Sequence, residues 1–234
     1  MLKTLSVVAL AAALAACALK AHHAPVQNPG ESVRPVELGA RGKLYRIDEG
    51  QSELRVLVYR AGPLARLGHN HVILNRAIRG GVSLGEGLPE FRLTVPAAAF
   101  VVDDALARRE EGPDFATEIP DEAKSGTLRN MLGTALLDAD EFPVITLNSV
   151  AVTASQEAPD LGSMIATVVI SVAGHESTVH VPFMLRSEPK RLSATGSLGL
   201  RQSDLGLTPY SLMLGALQVQ DLMTVKFTIV AVPG

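Results

Sequence analysis

Two strand-like stretches organise this chain: Glu53-Leu54-Arg55-Val56-Leu57-Val58-Tyr59-Arg60 and Gly68-His69-Asn70-His71-Val72-Ile73-Leu74. In an extended segment, successive side chains point to opposite faces. We therefore expect His69, His71 and Ile73 to share one face of the second stretch. The rest of the chain predicts a wall of strands that could close around such a face, although the alternation alone does not say which face points inward.

Short apolar runs separated by turn residues continue through most of the chain. We expect the histidine segment to stay extended as far as Ile78. The other predicted strands are Lys43–Asp48, Val82–Leu84, Phe91–Val95, Val144–Val152, Ser163–Val172, Ser177–Leu185, Arg191–Leu200, Tyr210–Val219 and Leu222–Val232. Eight or nine short strands with almost no helix predict an all-β fold, either an antiparallel barrel or a sandwich.

One region interrupts this pattern. Residues Asp103–Lys124 are densely charged and lack a strand pattern, which indicates either a loop that covers a cavity mouth or a partly helical insertion. Immediately afterwards, apolar residues at helical spacing predict a short helix over Gly126–Leu136, capped by Ser125.

Composition limits the classes of function. Nearly half of the residues are hydrophobic (47%), which is enough for a sizeable core, and we expect one domain because no composition break divides the chain after its N-terminus. The formal net charge of -3 leaves no electrostatic footprint for nucleic acid. Sequence signatures of hydrolases, zinc proteases, phosphate loops and dinucleotide-binding enzymes are absent, so we do not expect an enzyme.

The N-terminus has the features of a targeting signal. Residues 1–17 combine Lys3, a short apolar segment and Leu14-Ala15-Ala16-Cys17, which is similar to a bacterial lipobox. This pattern predicts lipidation of Cys17, the only cysteine, and an ordinary secretory signal peptide is the alternative. Residues 18–42 read as a flexible tether, and residues 43–234 as the folded domain. Ala18 after the cysteine favours a periplasmic protein anchored to the outer membrane.

The two histidines raise a second possibility. His69 and His71, separated by one residue on a strand, could bind one divalent metal ion. Such a site needs further ligands, for which His175, His180 or Asp48 are candidates without a predicted position. Histidines that are simply hydrogen-bonded or partly exposed are the commoner arrangement.

Four segments in order resemble one family. Tyr45-Arg46-Ile47-Asp48, the run from Asn130 through Asp140-Glu141-Phe142-Pro143 to Ser149, Gly174-His175-Glu176, and Arg201 to Leu207 resemble motifs of the YceI-like proteins. The resemblance spans residues 43–232. It implies an eight-stranded, antiparallel, lipocalin-like barrel that holds an isoprenoid or a similar amphiphile in its lumen. In this chain we expect that barrel to carry the short helix and the charged loop insertion described above.

We therefore expect a lipid-anchored periplasmic protein that binds or carries an isoprenoid, quinone-like or other amphiphilic lipid without catalysis and without a required cofactor. A metal-binding protein or metal-dependent enzyme using His69 and His71 is the alternative, and a tethered module with a filled core is a third. The sequence predicts neither the ligand-contacting residues nor the oligomeric state.

Overall fold

The computed structural model describes residues 42–85, 89–155 and 162–234. The predicted signal peptide, Cys17 and all but the last residue of the predicted tether lie outside these ranges. The strands are β1 (Lys43–Ile47), β2 (Glu53–Val58), β3 (Arg60–Ala61), β4 (His71–Asn75), β5 (Arg79–Leu84), β6 (Glu90–Pro96), β7 (Val101–Val102), β8 (Val144–Ala154), β9 (Ser163–Val172), β10 (His175–Glu188), β11 (Arg191–Arg201), β12 (Ser211–Leu212), β13 (Leu217–Val219) and β14 (Leu222–Pro233).

Two α-helices accompany these strands in the described ranges, α1 (Ala105–Glu110) and α2 (Asp121–Leu132). Neither of them has the length and the apolar character of a membrane-spanning helix.

Eight strands close into an antiparallel barrel. Their order is β1-β5-β6-β8-β9-β10-β11-β14, and β14 pairs with β1 to complete the ring. The predicted eight-stranded, all-β barrel is therefore confirmed. At eight strands, the interior is wide enough to be filled by side chains or to hold one small ligand.

The last strand, β14, pairs with three other strands of the wall. One of its edges pairs with β11 along ten residues, and the other edge pairs first with β2 and then with β1. Between these two strands, the buried Ser52 exchanges hydrogen bonds with the backbone of Val230, donating from its hydroxyl and accepting from the amide at 3.0 Å. From β2, pairing continues to β4 and β7.

The alternation of β9 shows which face of the wall points inward. Met164, Ala166, Val168, Ile170 and Val172 are buried, and the intervening side chains are less buried. The inward side chains of the other strands join them in one hydrophobic cluster. Because this cluster runs from Tyr45 to Ala231, the barrel contains its own core and we expect it to fold without the preceding residues.

The charged insertion packs against the outside of this wall. Leu57, Val72 and Leu74, on the outer faces of β2 and β4, form a second buried cluster with Ala107 of α1 and Phe115. Of the two alternatives for this segment, the partly helical one matches the structure. Some of its charges form ion pairs with the strand beneath, where Arg55 of β2 donates to Glu110 and Glu111.

Three predicted boundaries are wrong. The histidine segment is not one long strand, because β4 begins at His71 and ends at Asn75, whose buried side chain bonds to the backbone of Ala77 and Pro96. The predicted strand Tyr210–Val219 is divided into β12 and β13 by a turn over Met213–Gly215, whose residues have positive φ.

The helix predicted over Gly126–Leu136 is instead α2, which begins at Asp121 and ends at Leu132. Pro120 precedes its first turn, and Asp121 and Glu122 lie in that turn, where negative charge favours a helix start. Ser125, the predicted cap, lies inside the helix.

Candidate functional site

The barrel encloses two adjoining cavities. The lower cavity has a volume of about 150 Å³ and the upper cavity about 320 Å³. Six side chains line both of them: Leu54, Val95, Leu147, Ile170, Leu200 and Val225. The two cavities therefore form successive parts of one lumen. Taken together, they have the size of a small-molecule site.

The lower cavity is apolar throughout the described residues that line it. They are all aliphatic, aromatic or proline residues, among them Val82, Phe91, Val168, Phe183 and Phe227. A hydrocarbon chain would meet no polar group there, whereas an unpaired polar or charged group would lose its hydration without compensation.

The upper cavity has a mixed lining. Apolar side chains of β2, α2 and β14 occupy much of its wall, and polar side chains are added to them. These polar side chains are Arg60, His69, His71, Thr127, Asn130, Gln202, Tyr210 and Gln218. The lumen thus changes along its length from purely apolar to partly polar.

His71 is held by a hydrogen bond to a buried carboxylate. Its Nδ1 lies 2.6 Å from Oδ2 of Asp103, a side chain with no solvent exposure. The other oxygen of Asp103 accepts hydrogen bonds from the amide of Val72, at 2.9 Å, and from Arg108. Arg108 also donates to the carbonyl oxygens of Asn70 and Thr117.

These contacts determine the charge of Asp103. Burial alone raises the pKa of this carboxyl, but the hydrogen bond and charge of His71, the Val72 amide and Arg108 outweigh burial and leave the pKa below its usual value. An ionised carboxylate only accepts hydrogen bonds, so Nδ1 of His71 carries a proton. Nε2 is then the ring nitrogen available to a group in the upper cavity, as an acceptor when the ring is neutral and as a donor when it is protonated.

His69 lies beside His71 but outside the strand. Their rings meet edge to face with centroids 6.1 Å apart. Burial, followed by the charges of His71 and Arg60, lowers the pKa of His69. The loop is fixed by Asn70, which accepts a hydrogen bond from the amide of Arg60 at 3.0 Å and donates to the carbonyl of Asp114 at 3.1 Å. The shared face predicted for His69, His71 and Ile73 is therefore present, since all three line the upper cavity.

The metal site at His69 and His71 stays a prediction. No group of three or more His, Cys, Asp or Glu side chains suited to a metal ion occurs within residues 42–85, 89–155 and 162–234. The three candidate third ligands have other contacts: His180 lies within hydrogen-bond distance of Thr167, and Asp48 accepts hydrogen bonds from Gly50 and Gln51. The ring of His175 packs against Gly206. In the described part of the chain, the pair would depend on a bound ligand for further coordination.

Sequence reasoning missed three residues of the upper cavity region. Asp103 and Arg108 belong to the charged insertion, and the only signal for Asp103 was its position directly after the apolar pair Val101-Val102. Gln202 is buried and donates to the carbonyl of Gln220 at 2.8 Å. It lies in the Arg201–Leu207 segment, which the sequence connected with the family resemblance but not with the lumen.

Comparison with known proteins addresses the fold. No protein-family model matches the sequence, and no curated protein matches it. Solved structures do match. BcnA of Burkholderia cenocepacia superposes with a TM-score of 0.56 at 15% identity, covering 79% of this chain and 98% of that chain. A polyisoprenoid-binding domain from Saccharophagus degradans, implicated in plant cell wall breakdown, gives 0.52 at 13% identity, covering 81% and 98%.

A mutant YceI protein of Campylobacter jejuni gives a TM-score of 0.50 at 9% identity, covering 69% of this chain and 84% of that chain. The chain has the YceI-like fold. At these identities the likeness concerns architecture, so the site of this YceI-like barrel has to be derived from its own residues.

Three of the segments that carried the family resemblance pack against one another. A Cβ at Gly174 would lie 2.8 Å from the ring of Phe142, and a Cβ at Gly206 would lie 2.6 Å from the ring of His175. Both glycines also have positive φ, 76° and 75°, which favours glycine. Three of the four segments therefore meet in close packing that only glycine permits.

Proposed function

We propose that this protein binds or carries an amphiphilic lipid with an isoprenoid or quinone-like tail, without catalysing a reaction. The observation that carries the proposal is the change of polarity along one lumen. The tail occupies the lower cavity, where all described lining is apolar, and the head group lies in the upper cavity among polar side chains. The polyisoprenoid-binding domain of S. degradans, which has the same fold, supports this choice of ligand class.

Burial of the tail drives binding. Transfer of apolar surface from water contributes about 25 cal/mol per Å². Cavities of about 150 and 320 Å³ argue against the alternative of a module with a filled core, because protein interiors leave few voids larger than a water molecule. A ligand that fills these cavities would supply the missing contacts.

The head group is recognised at His71. Its ring is oriented by Asp103, and Nε2 can accept a hydrogen bond from a hydroxyl or, when protonated, donate to a carbonyl or phosphate oxygen. Gln202 and Asn130 offer amide groups in the same cavity. This set of groups suits a polar head of modest size rather than a large charged one.

The location of the protein is part of the same proposal. The lipobox at residues 14–17 and the polar tether support a periplasmic domain anchored through Cys17, and Ala18 supports the outer membrane. A second lipid signal or a transmembrane segment is unnecessary, because the combined acyl chains of a bacterial lipoprotein exceed what stable anchoring requires.

Metal binding is the second candidate function. Two imidazoles share the upper cavity, with ring centroids 6.1 Å apart, so a head group bearing oxygen atoms could complete the coordination of an ion. If metal binding is the function, replacing either His69 or His71 by alanine should abolish it.

The proposal is tested by mass spectrometry on residues 39–234, produced in the bacterial periplasm and examined under native conditions and then after organic extraction. We expect one long-chain polyprenyl or quinone-like molecule per protein. Ala166→Phe places a ring inside the lower cavity and should abolish the adduct. Ala151→Phe is the matched control, since Ala151 is exposed on the adjacent strand β8.

The alternative outcomes are distinct. A bare mass in the parent, with no extractable lipid, would contradict the carrier proposal. An adduct of the mass of zinc or copper that disappears in His71→Ala would favour the metal function. Thermal denaturation of Ala166→Phe and Ala151→Phe checks that both variants remain folded, so that a lost adduct reports the blocked lumen.

A further inference from the structure

An exposed apolar tip stands at the mouth of the upper cavity. Leu67 is 60% exposed, Leu212 44%, Met213 72% and Leu214 108%. Single exposed apolar residues are ordinary, but large ones grouped on neighbouring loops mark a surface for another molecule. We use the name apolar tip for these four residues.

The apolar tip is continuous with the lumen. Leu212 ends β12, and Met213 and Leu214 lie in the turn of the β12–β13 hairpin. From the same hairpin, β13 contributes Leu217, Gln218 and Val219 to the upper cavity. Leu67 belongs to the adjacent turn, which is tied to the hairpin by a hydrogen bond from the amide of Leu64 to the carbonyl of Ala216, 2.8 Å long. A molecule bound to the tip is therefore next to the cavity opening.

The backbone at the apolar tip adopts an energetically unfavourable conformation. Met213 and Leu214 have φ angles of 51° and 55°, and Gly215 follows at 90°. Two successive left-handed residues other than glycine are unfavourable, and such strain concentrates at functional sites. Leu214, fully exposed, gains no burial within the chain in return.

The charges around the tip are favourable for a membrane. From Leu205 to Gln220 the sequence contains no charged residue, and from Ala61 to Gly68 the only one is Arg66. Arg60 and Arg66 are both exposed. Asp204 and Asp221 stand at the two ends of the uncharged segment, so its apolar character is confined to the hairpin itself, and the exposed charges in the adjacent turn are the two arginines. An apolar surface beside basic side chains favours the surface of an anionic bilayer.

We propose that the apolar tip inserts into the surface of a lipid bilayer and places the mouth of the upper cavity against it. An amphiphile then passes between membrane and lumen with little exposure of its tail to water. The inference goes beyond the proposed function, since a carrier could also load from solution or from a partner protein. A projecting tip of Leu and Met side chains, rather than a groove or a flat face, has the shape that enters the acyl region.

The chain contains no tryptophan, which permits a direct test. In the domain of residues 39–234, Leu214→Trp introduces a single indole. With vesicles of phosphatidylethanolamine and phosphatidylglycerol, its emission should shift to the blue and should be quenched by lipids brominated on their acyl chains. Val150→Trp is the control, because Val150 is 67% exposed on the wall strand β8. Its emission should not change.

Cosedimentation with the same vesicles measures the strength of docking. Met213→Ser combined with Leu214→Ser should lower the partition coefficient at least about tenfold, since two inserted side chains are lost. Val150→Ser should leave it unchanged. Both serine variants alter only exposed side chains and should fold normally.

Three results would overturn the proposal: no spectral change at position 214, an equal change at position 150, or a dimer in solution that the double serine variant dissociates. The last result would assign the tip to contact between two copies. The lipid adduct of the purified domain is measured separately. An adduct without vesicle docking removes the tip proposal and leaves the proposed function intact, and docking without an adduct does the reverse.

Discussion

Asp103 joins three parts of the molecule through one carboxylate. It orients the ring of His71 in the lumen, accepts from the backbone of β4 at Val72, and pairs with Arg108 of the outer helix α1. It has a φ of 57°, a conformation that Asp and Asn adopt more readily than most residues. The inner site and the outer cover are thus connected by a single side chain.

Asp103→Asn keeps the size and the tolerance for positive φ but removes the charge. We expect the free energy of unfolding to fall by about 2–4 kcal/mol, because Arg108 would remain buried without its ionic partner. Urea denaturation measures this loss. Asp140→Asn, at an exposed position, should change stability by less than about 0.5 kcal/mol. Equal effects of the two substitutions would show that Asp103 carries no special stabilisation.

The pH dependence of stability follows from the same residue. The pKa of Asp103 is lower in the folded protein than the value of about 3.9 expected when unfolded. On acidification the unfolded chain therefore takes up the proton first, so this stabilisation is complete above about pH 4 and is lost as pH falls toward the folded pKa. Denaturation curves below pH 4 should show a shallower loss for Asp103→Asn than for the parent.

For individual residues, the sequence predicted which face of a strand a side chain lies on better than it predicted which side chains contact each other. Alternation along one segment was enough to place His71 and Ile73 on one face. Asp103 lies in a charged run that resembles any solvated loop, and its burial depends on α1 packing over β2 and β4. Such a contact between distant segments leaves no periodic trace in the sequence.

The wall between β10 and β11 is incomplete. Both strands are described along their whole length, but their pairing runs only from Met184–Thr195 to Glu188–Arg191. Beyond Met184, β10 pairs with β9 alone, and β11 with β14 alone. Val179, Val181, Leu198 and Leu200 line the lower cavity along this gap.

Amide hydrogen exchange should reveal the gap. In the His175–Phe183 part of β10, amides that face β11 lack a ladder partner there, so we expect them to exchange at least about tenfold faster than the β11-facing amides of Met184–Glu188. NMR spectroscopy resolves these positions. The alternate residues of the same segment, whose amides face β9, are the internal reference, and uniform protection across β10 would contradict an incomplete wall.

Strands and helices differed in how well their bounds could be predicted. β9 was predicted at its observed ends, because ten alternating residues are bounded by clear turns. α2 was misplaced by about one turn, because the apolar spacing begins after the polar first turn that Pro120 and the two acidic residues define. β12 and β13 were predicted as one strand, since the left-handed turn at Met213 and Leu214 uses residues that favour neither turns nor positive φ.

For the whole molecule, the bound lipid should contribute to stability. With free ligand at about 100 times its Kd, binding adds about 2.7 kcal/mol. For a domain of this size that corresponds to about 5–10 °C in Tm. Calorimetry of the domain before and after lipid extraction should show this decrease, and added polyprenol should reverse it. In Ala166→Phe, whose lower cavity is filled, extraction should leave Tm nearly unchanged.

The barrel itself could be predicted because strand count, turn spacing and four ordered segments all agreed. The division of the lumen into an apolar and a partly polar part could not, since it depends on which side chains from β2, α2 and the β12–β13 hairpin converge in space. The head-group region is assembled from segments far apart in sequence, each with an unremarkable composition by itself.

The position of β14 in the chain also determines when the barrel can close during synthesis. This strand pairs with β1 and β2 from the beginning of the domain and with β11 on its other edge. While the chain is being synthesised, the apolar faces of the seven other strands of the barrel have no closed wall to enter until Leu222–Pro233 emerges. Such late, non-local pairing slows folding and prolongs exposure of aggregation-prone strands. Until then, the newly made chain exposes apolar strand faces that the closed barrel buries.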